Sequence, residues 1–248
     1  MDPGRGLRAG AHLPGGDRPP RGRPGGTATR AQRLRTVFFD FDGTLVDVRE
    51  RHYRTYRSTT EAFQGRPLAM AEYWRLKRRG ARWGELLGRS GVAARLEGAF
   101  LERFVAQIEA PASLRLDRLL PGVEETLVAL RRRGDRLFLL SLRSSSRDFL
   151  QQVCGLGIAS VFERVCSGRE HPQGNLAKVH LIEQLGFDRP AAVVGDTEAD
   201  ILAARSLGLP AIGVSTGLRN RSYLRHVGAD VVVERLRELP ATLGSLVG

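Results

Sequence analysis

The chain has 248 residues and a mass of 27.3 kDa, with 42% hydrophobic and 27% charged residues. This composition is close to the average for a globular chain and excludes collagen-like, wholly disordered and disulfide-scaffold proteins. The net charge is +12, because 39 Lys and Arg stand against 27 Asp and Glu.

Residues 1–35 carry half of the excess positive charge, since they hold eight Arg and two Asp. This segment is dense in Gly and Pro and offers no apolar face, so we expect a disordered extension. It has no apolar stretch of the kind a secretory signal needs. No run elsewhere approaches the length of a membrane span, and we therefore expect a cytoplasmic protein.

The cysteines and histidines predict neither a disulfide framework nor a zinc site. Cys154 and Cys166 are the only cysteines and form no CxxC pair, and the five histidines are scattered along the chain. A reduced compartment suits such a chain.

Beyond the extension, short apolar runs alternate with helical patterns. The predicted strands are 36–39, 136–141, 161–166, 191–195, 211–214 and 230–233. The predicted helices are 123–133, 146–154, 176–185 and 198–207, each followed by a glycine. This alternation predicts an α/β fold with a parallel sheet covered by helices on both faces, a Rossmann-like three-layer core.

The alternation is interrupted once, over residues 49–118, where we find no strand pattern. Helices are predicted there at 50–63, 69–79, 83–87 and 93–108. We therefore predict a core domain built from 36–48 and 119–248 and an inserted α-helical cap of 49–118. A cap at this position would cover the carboxyl edge of the sheet, where ligands of such folds bind.

The strongest chemical signal is Asp40-Phe41-Asp42-Gly43-Thr44 at the end of the first predicted strand. The two carboxylates fall on the same side of an extended chain, and a divalent cation such as Mg²⁺ would relieve their repulsion. Taken alone, the motif also fits an Asp-Gly turn after a strand.

Three further signals follow along the chain. Ser141 ends the second core strand, where a hydroxyl could hold phosphate oxygens. Lys178 lies near the start of a helix in a chain with only one other lysine, Lys77. We expect the substitution Lys77→Arg to be close to neutral. Asp196 ends another strand and Asp200 lies one helical turn later, which alone also fits ordinary helix capping.

Together the four motifs, DFDGTLVD, LLS, a lysine and GDTEAD, resemble the haloacid-dehalogenase-like hydrolase superfamily over about residues 36–235. The resemblance implies that Asp40 is the nucleophile and Asp42 the general acid and base. It implies phosphate binding by Ser141 and Lys178. It also implies Mg²⁺ ligation by Asp40, Asp42 through its backbone carbonyl, and Asp196, with the following residues in support: Asp200, Gly43 and Thr44.

The implied function is Mg²⁺-dependent hydrolysis of a small phosphorylated metabolite through an aspartyl-phosphate, as in phosphoglycolate phosphatases. Leu142 and Arg143 follow Ser141 where many relatives have Asn, so Arg143 is a possible substrate contact. A phosphomutase on a sugar phosphate would share every core residue. An alternative of another class is a non-catalytic protein that binds anions or nucleic acid, although the basic residues after position 35 form no dense stripe.

Overall fold

The computed structural model describes residues 35–168 and 174–246. The predicted extension, residues 1–35, therefore lies outside the described residues except for Arg35. None of the helices in the described ranges is long and apolar enough to cross a membrane.

Eight strands are described. They are β1 (Thr36–Asp40), β2 (Val46–Asp47), β3 (Arg118–Leu119), β4 (Arg136–Ser141), β5 (Arg164–Ser167), β6 (Ala191–Gly195), β7 (Ala211–Val214) and β8 (Val231–Val233). The helices in the same ranges are α1 (Arg49–Ala62), α2 (Met70–Arg78), α3 (Trp83–Arg89), α4 (Glu97–Ile108), α5 (Pro111–Leu114), α6 (Val123–Arg132), α7 (Ser146–Gly155), α8 (Gly174–Leu185), α9 (Glu198–Ser206), α10 (Arg221–His226) and α11 (Leu239–Leu246).

Six of the strands form one parallel sheet in the order β5-β4-β1-β6-β7-β8. Because β1 lies between β4 and β6, the residues that end these three strands meet at one edge. In the register of the sheet, Asp40 is paired with Leu140, so Ser141 lies one position further out. The α/β Rossmann-like fold is confirmed.

Both faces of the sheet are buried, which explains why the three central residues of β1, Val37, Phe38 and Phe39, are all apolar. Val37 and Phe39 pack into the core on one face, and Phe38 packs into the core on the other. Phe41 continues the first face and meets Phe149 of α7 edge-on, with ring centroids 5.1 Å apart. These contacts fix the end of β1, and with it the two aspartates that flank Phe41.

Helices α1–α5, which we call the cap helices, lie within the segment predicted as an insertion. They have an apolar core of their own, in which the rings of Tyr56 and Tyr73 stack 4.2 Å apart. At the two ends of the segment, β2 and β3 form an antiparallel pair that places Val46 beside Leu119. The sequence did not predict this pair, because two-residue strands carry no periodicity.

The third predicted strand, 161–166, is shifted in the structure. Residues Ala159–Val161 form a 3₁₀ turn, and the strand runs over Arg164–Ser167. Phe162 is buried in the turn, with its ring 6.2 Å from that of Phe39. Val161 and Phe162 are therefore apolar because they pack against the core, and not because they belong to a strand.

The end of the sheet opposite the aspartates is held by a buried ion pair. Arg35 donates from Nε and Nη2 to the two oxygens of Asp135 at 2.8 and 2.9 Å, and the two side chains are 9% and 2% exposed. Asp135→Ala would leave the guanidinium buried without a counter-charge. We expect it to lower the free energy of unfolding by about 3 kcal/mol in urea denaturation.

The matched control is Asp188→Ala. Asp188 faces Arg136 at 3.5 Å, but its side chain is 92% exposed, so we expect a change within about 0.5 kcal/mol. Equal effects of the two variants would contradict the role of burial in the Arg35–Asp135 pair.

Candidate active site

The loop after β1 brings the first motif against the fourth, GDTEAD. Gly43 has a φ of +81°, and a Cβ at this position would lie 2.3 Å from Asp196 Oδ2, so only glycine fits. The hydroxyl of Thr44 lies 3.2 Å from Asp40 Oδ2 and 3.3 Å from Asp196 Oδ1. Gly43 and Thr44 therefore hold the end of β1 close to the end of β6.

Three buried carboxylates, those of Asp40, Asp196 and Asp200, converge at this edge. Each offers an oxygen within 4.8 Å of the others. Asp200 also accepts hydrogen bonds from the backbone N–H and hydroxyl of Thr197 at 3.0 and 2.7 Å, which fixes it at the start of α9. Asp196 Oδ2 accepts the backbone N–H of Leu218 at 2.6 Å.

Lys178 supplies the cation of this cluster. Its Nζ donates to Asp40 Oδ1 at 2.5 Å and also to Asp200 Oδ1. Burial opposes its charge, but the carboxylates of Asp200 and Asp40 outweigh that effect and hold the pKa of Lys178 above its ordinary value. The lysine is therefore a fixed ammonium within the cluster.

One ammonium does not balance three carboxylates. Burial raises the pKa of Asp40 to about 7, with Lys178 opposing the shift and the charge of Asp200 adding to it. Burial likewise raises the pKa of Asp196 well above its usual value, and Asp40 adds to that effect. A buried, oxygen-only set with surplus negative charge fits a divalent cation such as Mg²⁺. The structure thus shows an acidic triad able to bind a metal.

Asp42 lies in a different environment from Asp40. Arg143 donates to its two oxygens, from Nε and Nη2, at 2.6 Å each, and Arg51 Nη2 donates at 2.5 Å. Burial alone would raise the pKa of Asp42, but the charges of Arg51 and Arg143 outweigh it and hold the pKa well below its usual range. The carboxylate of Asp42 is not a member of the acidic triad.

Arg51, on α1, was not singled out from the sequence. It is 2% exposed and its Nε lies 2.9 Å from Asp117 Oδ1, so it links the cap helices to the segment before β3. Burial raises the pKa of Asp117 to about 6, although the charge of Arg51 opposes the shift. Among so many arginines, nothing in the pattern distinguishes this one.

A second contact joins α2 to the loop after β7. Arg219 donates to both oxygens of Glu198 at 2.7 and 2.6 Å and to the backbone oxygen of Lys77 at 3.1 Å. The backbone N–H of Asn220 donates to the backbone oxygen of Arg78 at 2.8 Å. We call the surface formed by the following residues the cap–core seam: Arg51, His52 and Lys77 from the cap helices, and Asp42, Arg143, Glu198 and Arg219 from the core.

The structure therefore brings most of the sequence-predicted residues together. Asp40, Thr44, Asp196, Asp200 and Lys178 form one cluster with the backbone of Gly43. Ser141 lies buried at the adjacent strand end, 2% exposed. Asp42 and Arg143 lie together beside that cluster and bind each other. Glu198 and Arg219, which bind each other beside the site, were not among the residues predicted from the sequence.

Comparison with known proteins agrees with this geometry. The family of haloacid dehalogenase-like hydrolases matches residues 34–208. A phosphoglycolate phosphatase of Synechococcus elongatus is 30% identical over 210 residues, which cover 83% of this chain and 95% of the relative. Phosphoglycolate phosphatase 1 of Pseudomonas aeruginosa is 27% identical over 227 residues, covering 86% and 80% of the two chains.

Solved structures show the same fold. The crystal structure of a predicted phosphatase from Clostridium acetobutylicum superimposes with a TM-score of 0.68 at 18% identity, over 86% of this chain and 99% of that one. The resemblance inferred from the four motifs is thus confirmed. The chain belongs to the haloacid dehalogenase-like hydrolases and is a phosphatase of that family.

Proposed function

We propose that the protein hydrolyses a small phosphomonoester, with 2-phosphoglycolate as the first substrate to test, by way of a phosphorylated Asp40. The observation that carries this proposal is the cluster of Asp40 with Lys178, Asp196 and Asp200. The names of the relatives support the choice of substrate. We place the reaction in the cytoplasm, where the free thiols of Cys154 and Cys166 would stay reduced.

In this mechanism Asp40 attacks phosphorus through one carboxylate oxygen, and the bond from phosphorus to the leaving oxygen breaks. Lys178 favours the ionised form of Asp40 against the effect of burial and, with Ser141, would hold the oxygens of the transferred group. Water then attacks the phosphorylated Asp40, which releases inorganic phosphate and restores the carboxylate. Two displacements replace one difficult step.

We assign the metal site to Asp40, Asp196 and the backbone carbonyl of Asp42, with Asp200 in support. Mg²⁺ bound there would neutralise charge on the phosphoryl oxygens. The surplus negative charge of the triad is the property of the chain that supports this assignment.

Asp42 would give a proton to the leaving oxygen and take one from the attacking water. Both of its oxygens are held by arginines in the structure, Oδ1 by Arg51 and Arg143 and Oδ2 by Arg143. Proton transfer therefore requires one guanidinium to withdraw, and we propose that the leaving group takes the place of Asp42 on Arg143. This role keeps Arg143 as a substrate contact.

We further propose that residues 49–118 act as a cap domain over the reaction. The β2–β3 pair would be its hinge, because the chain leaves and re-enters the core there. The contacts of Arg51 with Asp42 and Asp117 would hold the cap closed.

Asp40→Asn should leave a folded protein without detectable phosphatase activity, because a neutral amide neither attacks phosphorus nor balances a cation. The measurement is release of inorganic phosphate from 2-phosphoglycolate and from p-nitrophenyl phosphate. Turnover at a tenth of the wild-type rate would exclude Asp40 as the nucleophile.

Removal of divalent metal should abolish turnover, since the triad then keeps its surplus negative charge against an anionic substrate. We expect activity to vanish in excess chelator and to return when Mg²⁺ is added. Undiminished turnover in chelator would contradict the metal assignment.

Lys178→Arg should lower kcat by about a hundredfold, or about 2.7 kcal/mol, because a planar guanidinium does not fit the space of an ammonium between Asp40 and Asp200. Circular dichroism should show an unchanged fold. The matched control is Arg57→Lys in the exposed Arg57–Glu61 pair of α1, which should leave kcat unchanged. Wild-type kcat for Lys178→Arg would remove this lysine from the mechanism.

The assay of phosphate release also distinguishes a phosphatase from a phosphomutase, and a binding assay tests the alternative of another class. A phosphomutase would return the phosphoryl group to a second hydroxyl of a sugar phosphate and release little inorganic phosphate. Nucleic-acid binding through the arginines of residues 1–35 concerns a segment outside the described residues and would appear as a salt-sensitive affinity for DNA or RNA.

A further inference from the structure

Asp117 lies among the buried charges beside the acidic triad, although none of the four motifs includes it. It immediately precedes β3, and its side chain is 0% exposed. Arg51 Nε lies 2.9 Å from its Oδ1, and Arg143 Nη2 lies 3.6 Å from its Oδ2. The same two guanidinium groups bind Asp42. Asp42 and Asp117 therefore share two arginines, and the four charges balance.

Asp117 is held in place from two sides. The next residue, Arg118, is paired with Asp47 in the antiparallel β2–β3 pair. Gln152 of α7 donates from Nε2 to Asp117 Oδ2 at 2.8 Å and to the backbone oxygen of Leu114 at 3.2 Å. These contacts do not involve the arginines, so Asp117 can stay in place when a guanidinium group moves.

Arg51 makes its better contact with Asp42. Its Nη2 donates to Asp42 Oδ1 at 2.5 Å. Its Nε and Asp117 Oδ1 are 2.9 Å apart, yet both are buried and neither makes a hydrogen bond to any of the described residues. A buried donor and a buried acceptor that lie side by side without a hydrogen bond are unfavourable. A small rotation of the guanidinium group toward Asp117 would satisfy both atoms.

The proposed role of Asp42 requires it to leave these arginines. Guanidinium groups occupy both of its oxygens, so the carboxyl group must turn before it reaches the leaving oxygen. In the proposed mechanism the leaving group replaces Asp42 on Arg143, but Arg51, which is 2% exposed, would lose an anion. A buried guanidinium without an anion is strongly unfavourable. Asp117 is the other carboxylate that pairs with Arg51 among the described residues.

We infer that Asp117 is a positioning residue for this reaction, which receives the guanidinium group of Arg51 when Asp42 turns to the leaving oxygen. As the bond from phosphorus to that oxygen breaks, the proton of the Asp42 carboxyl group passes to the oxygen, and the resulting carboxylate binds Arg51 again. Asp117 acts through Arg51 and does not itself contact the substrate. This inference rests on the proposed function and adds to it the residue that frees the acid.

The test compares a leaving group that needs a proton with one that does not. Phenyl phosphate and p-nitrophenyl phosphate have similar shapes, but phenolate is a much stronger base than p-nitrophenolate and depends more on an acid. The measurement is kcat/KM, which covers the steps up to departure of the leaving group. We call kcat/KM for phenyl phosphate divided by that for p-nitrophenyl phosphate the leaving-group ratio.

In Asp117→Asn we expect both arginines to keep hold of Asp42, because it is then their only carboxylate among the described residues. The kcat/KM should fall by about 30-fold for phenyl phosphate and for 2-phosphoglycolate, but stay within about threefold of wild type for p-nitrophenyl phosphate.

The matched control is Asp135→Asn. Asp135 is also a buried carboxylate, 1% exposed, but its partner Arg35 lies at the opposite end of the sheet from the site. We expect this variant to lower stability and to leave the leaving-group ratio unchanged.

A pair of further variants tests the route through Arg51 and remains decisive if Asp117→Asn alone does not fold. Arg51→Met leaves Asp42 with one guanidinium group, that of Arg143. Adding Asp117→Asn to Arg51→Met should then leave the leaving-group ratio at the value of Arg51→Met alone, because no guanidinium group of Arg51 needs a second anion.

An unchanged leaving-group ratio in folded Asp117→Asn would overturn the inference, and an equal loss on both phosphates would mean that Asp117 only supports the fold. A double variant with a lower ratio than Arg51→Met would also overturn it, because Asp117 would then act without Arg51. Failure of the proposed function is distinct. The wild type would then release phosphate from none of the three compounds with Mg²⁺ present, or Asp42→Ala would keep the wild-type ratio.

Discussion

The structure of the site depends on burying carboxylates at the end of two adjacent strands. Asp40 and Asp200 share the ammonium of Lys178, and their closeness is possible only because the surrounding backbone leaves room. A Cβ on Gly195 would lie 2.0 Å from Asp200 Cγ, and one on Gly217 would lie 2.0 Å from Asp196 Oδ2. Gly195 at the end of β6 and the loop glycines Gly43 and Gly217 therefore allow the approach that electrostatics would otherwise oppose, and the charge that remains is available for a cation.

The cap helices are joined to the core mainly through charges and backbone hydrogen bonds. Their apolar side chains are used within the cap, as in the Tyr56–Tyr73 stack; Trp74 also packs against the core. When the two parts separate, water can replace the contact of Arg51 with Asp42 and that of Arg219 with the oxygen of Lys77. Breaking such contacts costs less free energy than exposing a large apolar interface to water. A surface of this kind suits a domain that must open for substrate and product, as we propose for residues 49–118.

The sequence predicted the sheet and the carboxylate cluster because both depend on local patterns. Apolar runs mark the buried strands, and the acidic residues follow directly after β1 and β6. Arg51 was missed because its importance comes from Asp117, 66 positions away in the chain, and no periodic pattern records such a pairing. The position of Lys77 was missed for the same reason, since only the packing of α2 on the loop of Arg219 decides that this helix lysine is partly buried. The short pair β2–β3 and the shift of β5 likewise follow from tertiary contacts rather than from residue type.

The two aspartates of the first motif are separated by one residue, yet the fold gives them opposite electrostatic environments. Asp40 lies among like charges, which add to the effect of burial on its pKa, whereas Asp42 is held ionised by two guanidinium groups. A nucleophile should be ionised and a general acid protonated, so the proposed roles require both environments to change before reaction. A cation at the triad would favour the ionised form of Asp40, and an anionic leaving group that draws Arg143 away would favour the protonated form of Asp42. Under these roles the leaving group that takes the place of Asp42 on Arg143 also prepares the acid, so that binding of the leaving group and activation of Asp42 depend on one set of charges at the cap–core seam.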